Sequence, residues 1–165
     1  METSLKRYGV KVPILNREIR AKAINSKRFS RYLFNGEYFD SIPELAYYVY
    51  CTDNKKNVVY HPKDKLINYL DRNGKIHTYC PDFYNVDEDR LYEVKGSQFY
   101  ENHDYNGKPI NPYNRSKDYI VEAKFECMKM NNVYIVTDFE YKDYISYVKE
   151  KYGNKFFKKC EIKTR

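Results

Sequence analysis

Residues 81–96, PDFYNVDEDRLYEVKG, constrain this chain more than any other stretch. An acidic turn around Asp87-Glu88 is flanked by two short aromatic and apolar segments, which is the pattern of a β-hairpin. With the turn centred there, cross-strand partners sum to 175, so Asp82 lies directly opposite Glu93. Directly opposed Cβ atoms are ~5 Å apart. Strand alternation puts Leu91, Glu93 and Lys95 on one face and Tyr92 and Val94 on the other. Two carboxylates and an amine therefore converge, either as a casual ion pair on a solvated hairpin or as a site where a hard cation neutralises the acids. Oxygen ligands of this kind suit Mg²⁺ or Mn²⁺ rather than zinc. Such an ion lowers the pKa of bound water and polarises a phosphodiester, while a lysine steers the water or stabilises developing charge.

The elements around this hairpin follow from turn and cap signals. Residues 13–29 carry spaced alanine and isoleucine among five basic residues and predict a short helix with too little apolar surface to stand alone. Asn35-Gly36 between aromatic segments predicts a hairpin. Ser41 opens a helix with proline in its first turn and Leu45, Tyr48, Val49 and Thr52 on one face. A three-stranded meander is expected near 65–71, 75–83 and 90–95, punctuated by Asn73-Gly74 and Asp87-Glu88. A polar loop over 98–115 follows, then a helix from Ser116 to about Asn131 and the β-branched strand Val133–Thr137. An amphipathic helix with Tyr144, Ile145, Val148 and Tyr152 inward ends at Gly153. The resulting order is helix, three strands, helix, strand, which implies a mixed sheet with helices on its faces.

Charge is distributed unevenly. Residues 1–31 hold nine Lys/Arg against two acids, a net +7, and residues 149–165 hold seven against two, a net +5, which leaves the middle at −5 of the total +7. Two basic ends around an acidic centre suit a protein that grips a polyanion at its edges and holds cations in its middle; solvated surface helices and tails would carry the same pattern. The 165 residues, 42% hydrophobic, amount to one compact domain with a small appendage. No apolar run approaches a membrane span and the first residues lack the apolar stretch of a secretory signal, so the expected compartment is the cytoplasm. Cys51, Cys80, Cys127 and Cys160 lie far apart without a CxxC pair and are expected as free, largely buried thiols. His61, His77 and His103 show no zinc-ligand spacing. Twenty tyrosines and no tryptophan mean many half-buried rings whose hydroxyls reach water or a partner.

Pro81, Asp82, Glu93, Lys95 and Gly96, in PDF…YEVKG, resemble the PD-(D/E)xK motif of the restriction-endonuclease-like nuclease superfamily. That family's common core is helix, three-stranded meander, helix, strand, the order reached above. FNGxxFDS…ELA, from Phe34 to Ala46, further resembles small phage and homing-type endonucleases, and the likeness runs from about residue 31 to 137. The resemblance implies a Mg²⁺-dependent endodeoxyribonuclease, with Mn²⁺ as a substitute. Asp82 and Glu93 would hold the metal and Lys95 would be the catalytic lysine. Many members add a glutamate from the first core helix, a place taken here by Glu44; the alternative for Glu44 is a capping box with Ser41. Lys124 lies in an apolar stripe of the second core helix and either reaches substrate phosphate or snorkels. Gln98, just past the ExK strand, is a candidate substrate contact.

Leu5-Lys6-Arg7-Tyr8-Gly9-Val10 resembles units found ahead of nuclease domains in phage-associated and homing endonucleases. It implies DNA binding by Lys6, Arg7, Lys11, Arg17, Arg20, Lys22, Lys27 and Arg28, to phosphate before bases. The expected division is a basic DNA-binding segment 1–30, a nuclease core 31–138, and a C-terminal amphipathic helix with basic tail 139–165. DNA is the expected partner, with a weak homodimer formed on it, and the cytoplasm would include that of a phage-infected host. A junction resolvase or repair nicking nuclease on the same core is the alternative within the class; a non-catalytic DNA-binding protein of the same fold is the alternative outside it.

Overall fold

The computed structural model describes residues 31–99 and 107–163 of the chain. The expected helix over 13–29, His103 and the eight candidate DNA-binding residues between Lys6 and Arg28 lie outside the described residues. The described chain is mixed α/β and falls into two compact units, one formed by residues up to Tyr50 together with those from Tyr144 onward, the other by Cys51–Asp143.

The first unit begins with the hairpin β1 (Tyr32–Phe34) and β2 (Glu37–Phe39), in which Tyr32 pairs with Phe39 and Phe34 with Glu37. Asn35 and Gly36 both take positive φ, 49° and 77°, the left-handed turn that matches strand twist and that Asn-Gly tolerates best. Helix α1 (Ile42–Asp53) follows. Its buried residues in this unit are Leu45, Ala46, Tyr47 and Val49, a wider stripe than expected, whereas Tyr48 is only half-buried and Thr52 is exposed. Thr52 falls in the last turn, where the chain leaves the helix.

Helix α3 (Asp138–Tyr152) brings Val148 into this unit fully buried, and Gly153, φ 92°, ends it as expected. Tyr152, expected inward, is 41% exposed and instead lays its ring against Phe156, 5.1 Å away. The short helix α4 (Phe156–Cys160) buries Phe156 and Phe157, so part of the basic tail is core. Phe34 packs edge-on against Phe156 at 5.5 Å, and Tyr144 against Tyr47 and Tyr50 at 5.5 and 4.6 Å. These tilted and edge-on contacts let aromatic rings fill a core that contains no tryptophan.

The second unit is built on a four-stranded mixed sheet of order β3 (Val58–Tyr60), β6 (Phe83–Asn85), β7 (Arg90–Val94), β8 (Tyr134–Val136). The first three are antiparallel and β8 runs parallel to β7, with Glu93 opposite Ile135. A separate hairpin, β4 (Ile67–Leu70) with β5 (Ile76–Tyr79), intervenes between β3 and β6. The meander expected over 65–71, 75–83 and 90–95 is thus corrected. Its middle segment breaks into β5 and β6, and its first strand is β3. The break falls at Cys80-Pro81, because proline has no N–H to give a central ladder.

Helix α2 (Asp118–Met130) connects β7 to β8, and its Cys127 and Met128 pack with Tyr79, Ile67, Tyr69, Val133 and Ile135. The β4–β5 turn is stiffened by Asp71, whose Oδ1 accepts the N–H groups of Asn73 (2.8 Å) and Lys75 (3.1 Å) while Oδ2 meets His77 Nε2 at 2.7 Å. All four cysteines are free thiols; Cys51 and Cys127 are buried, Cys80 and Cys160 half-buried. Among the described residues no helix is long and apolar enough to cross a membrane.

Candidate active site on the β6–β7 hairpin

The observed pairing of β6 with β7 is Phe83 to Tyr92, Tyr84 to Leu91 and Asn85 to Arg90. Each pair sums to 175. The turn between them is held by Asn85, whose side chain accepts the Glu88 N–H at 3.2 Å, and by Asp89 at φ 48°. Asn85 is itself buried, so its amide is committed to the turn.

Asp82 stands one residue before β6, where Pro81 has ended the preceding strand. Its carbonyl accepts the His61 N–H at 2.8 Å, which continues the β3–β6 ladder by one step. Its carboxylate Oδ2 accepts the Val94 N–H of the opposite strand at 2.8 Å. Asp82 is therefore tied to both neighbouring strands and directed toward the end of β7, where Glu93 lies and Lys95 follows.

Glu93 is buried, and both its oxygens are engaged. Oε1 meets Lys124 Nζ at 2.7 Å and Lys95 Nζ at 3.4 Å, and Oε2 accepts the Tyr79 hydroxyl at 2.8 Å. Burial pushes the Glu93 carboxyl up, but the charges of Lys124 and Lys95 and the hydrogen bonds from Lys124 and Tyr79 outweigh it and hold the group below its ordinary value. Lys124 is pushed down by burial and raised further by Glu93 and Asp82, so it stays firmly protonated. Lys95 goes the other way. Burial and the neighbouring Lys124 charge depress it more than Glu93 and Asp82 raise it. Its ammonium lies over the rings of Phe99 and Phe125, at 4.9 and 5.7 Å.

Asp82, Glu93, Lys95 and Lys124 are thus brought together, and the two acids balance the two ammonium groups. The Lys124 ammonium contacts Glu93 Oε1, and its side chain keeps 30% exposure. Cys127 and Met128, on the same side of α2, pack with Tyr79 of β5, and the Lys124 ammonium lies over the Tyr79 ring at 4.8 Å. Gln98 is exposed on the short 3-10 turn Ser97–Phe99, its amide folded back against Gly96. Glu44 lies in the first unit, in a capping box: the Ser41 hydroxyl donates to Oε1 at 2.8 Å and accepts the Glu44 N–H at 3.3 Å, and Oε2 accepts the Asp40 N–H at 3.3 Å.

Tyr79 is a site residue that the sequence pattern did not single out. Its signal is the alternation of β5, which puts His77 and Tyr79 on one face, with Tyr79 three residues before Asp82.

Asp82 and Glu93 offer carboxylate oxygens, the donor type that Mg²⁺ or Mn²⁺ prefers. Their donor chemistry suits such an ion, while both Glu93 oxygens are held by Tyr79, Lys124 and Lys95. Comparison with protein-family models, with curated proteins and with solved structures finds no match for this chain.

Proposed function

We propose that the chain is a metal-dependent endodeoxyribonuclease with a restriction-endonuclease-like core, of the phage or homing type. The observation that carries this reading is the convergence, in the 175 register of one hairpin, of Asp82, Glu93 and Lys95 with a second lysine from the following helix. It is supported by the element order α1, β3, β6, β7, α2, β8, with Asp82 just before the second strand of the sheet, Glu93 on the third and Lys95 just after it.

Asp82 and Glu93 would hold Mg²⁺, which when bound supplies an acidified water and neutralises phosphate charge. Because the two acids are balanced by two lysines, a dication would leave the site positive toward a phosphodiester. Lys95, depressed below the ordinary lysine range, is suited to exchange a proton with the attacking oxygen or to hold charge against it. Asp82 is anchored by the Val94 N–H and Glu93 by Tyr79, which fixes both acids before substrate arrives.

A second reading, a DNA-binding protein on the same fold without turnover, draws on the fact that both Glu93 oxygens already have protein partners. Incubation of the purified chain with supercoiled, linear and branched DNA in Mg²⁺ separates these. Nicked or linearised product supports the endonuclease, cutting confined to branched DNA points to a resolvase, and tight binding without product supports the second reading.

A further inference from the structure

We infer that Tyr79 is a positioning residue for Glu93 and that Lys124 is an exchangeable ammonium which a divalent cation displaces from Glu93 Oε1. This rests on the nuclease reading of the Asp82/Glu93 pair. Tyr79 belongs to β5, the inserted hairpin, and lies outside both motif strands. It is 2% exposed, and its hydroxyl donates to Glu93 Oε2 at 2.8 Å. Packing against Cys127 and Met128 asks only for a ring; phenylalanine would fill the space without a polar atom to satisfy. The hydroxyl has one acceptor that matters, and it is the carboxylate proposed to bind metal. By holding Oε2, Tyr79 settles which Glu93 oxygen faces the two lysines.

Those lysines are not equivalent. Both reach Oε1, Lys124 at 2.7 Å and Lys95 at 3.4 Å, so one oxygen carries two ammonium groups. The Lys95 side chain is 16% exposed and held against Phe99 and Phe125, whereas that of Lys124 is 30% exposed with the Tyr79 ring beneath its ammonium. Lys124 is the more exposed of the two side chains. A cation and Lys124 compete for Oε1, and the displaced ammonium remains beside the site, where a substrate phosphate would meet it.

Opposite effects of two substitutions follow. In calorimetric titration of the full chain with Mn²⁺, Tyr79→Phe weakens binding about tenfold or more, the usual consequence of removing a group that orients a metal ligand. Lys124→Met tightens it by about tenfold while slowing DNA cleavage, because the same substitution removes both the competitor for Oε1 and the ammonium that meets the phosphate. A merely structural role for the two residues would weaken binding in both variants in step with their melting temperatures. Lys124→Gln, which keeps a polar head, repeats the test if the methionine variant does not fold. Unchanged Mn²⁺ affinity in Tyr79→Phe, or unchanged or weaker affinity in both folded Lys124 variants, overturns the inference and leaves the nuclease reading standing. A wild-type chain whose Mn²⁺ titration is indifferent to Asp82→Asn overturns both.

Discussion

Replacing Glu93 with alanine tests how the site is built, separately from what it does. The carboxylate meets two ammonium groups at 2.7 and 3.4 Å and accepts one buried hydroxyl. At an effective dielectric of ~20, each contact at this range is about 5 kcal/mol of gross attraction, most of it offset by the cost of taking the charges out of water. The effect of truncation is dominated by the charges left behind, and breaking a buried pair in this way costs about 3–5 kcal/mol. Lys124 keeps 30% of its side-chain exposure and can swing toward solvent, which places the expected loss near the lower end, about 3 kcal/mol. Removing the stranded lysine as well should relieve it. Glu93→Ala/Lys124→Met is therefore expected to be more stable than Glu93→Ala alone, with a coupling of about 1–2 kcal/mol between the sites. Urea unfolding at neutral pH measures this, since m-values of about 1–3 kcal/mol/M turn the single-variant loss into a midpoint shift of about 1–3 M. Additivity of the two substitutions within about 0.5 kcal/mol would instead mean that Lys124 draws nothing from Glu93.

Acid should destabilise the chain in a particular window. The Glu93 carboxyl is held below 4.5 by Lys124 and Lys95 against burial, so its contribution is fully present above about that pH and is lost as pH falls through the folded value. Glu93→Gln is expected to flatten the acid limb of stability against pH, read from urea midpoints between neutrality and pH 3. Ser41→Ala removes the hydroxyl that caps α1 and pairs with Glu44, at an expected cost of about 1 kcal/mol by thermal or urea unfolding. Deleting residues 1–28, which hold eight basic residues against two acids for a net +6, should weaken DNA binding and flatten its salt dependence, by about 0.9 in log–log slope for each phosphate the segment neutralises. A truncated chain with the original slope would show that the segment neutralises none.

The β6–β7 hairpin is legible in the sequence because turn position and period-two alternation are local facts. Asp87-Glu88 centres the loop, and the pairing of Phe83 with Tyr92 follows by counting. Asn35-Gly36 is legible for the same reason. Pro81 is visible too, yet the alternating pattern runs straight through it; its missing N–H is what sends β5 and β6 to different sheets. Helix α4 escapes because five residues are too few to show a helical period, although Phe156-Phe157 in a basic tail is an apolar pair that needs burial. Lys124 stands out as a charge in an apolar stripe, but its partner lies 31 residues away and only the fold supplies it. Tyr79 is hidden among the chain's twenty tyrosines, its role set by a contact 14 residues along and a sheet break between.

A hydrolytic centre formed by Asp82, Glu93 and Lys95 is probed by single-turnover cleavage of duplex DNA in Mg²⁺ by the wild-type chain and Lys95→Ala, with DNA affinity measured alongside. Wild-type cleavage is expected to stop on chelation of the metal. In the variant the expected rate is lower by at least about 10²-fold, the usual worth of a proton-transfer or charge-stabilising group, with affinity within a few-fold of wild type. Cleavage by Lys95→Ala at the wild-type rate, or binding without any cleavage by the wild-type chain, rules out such a centre.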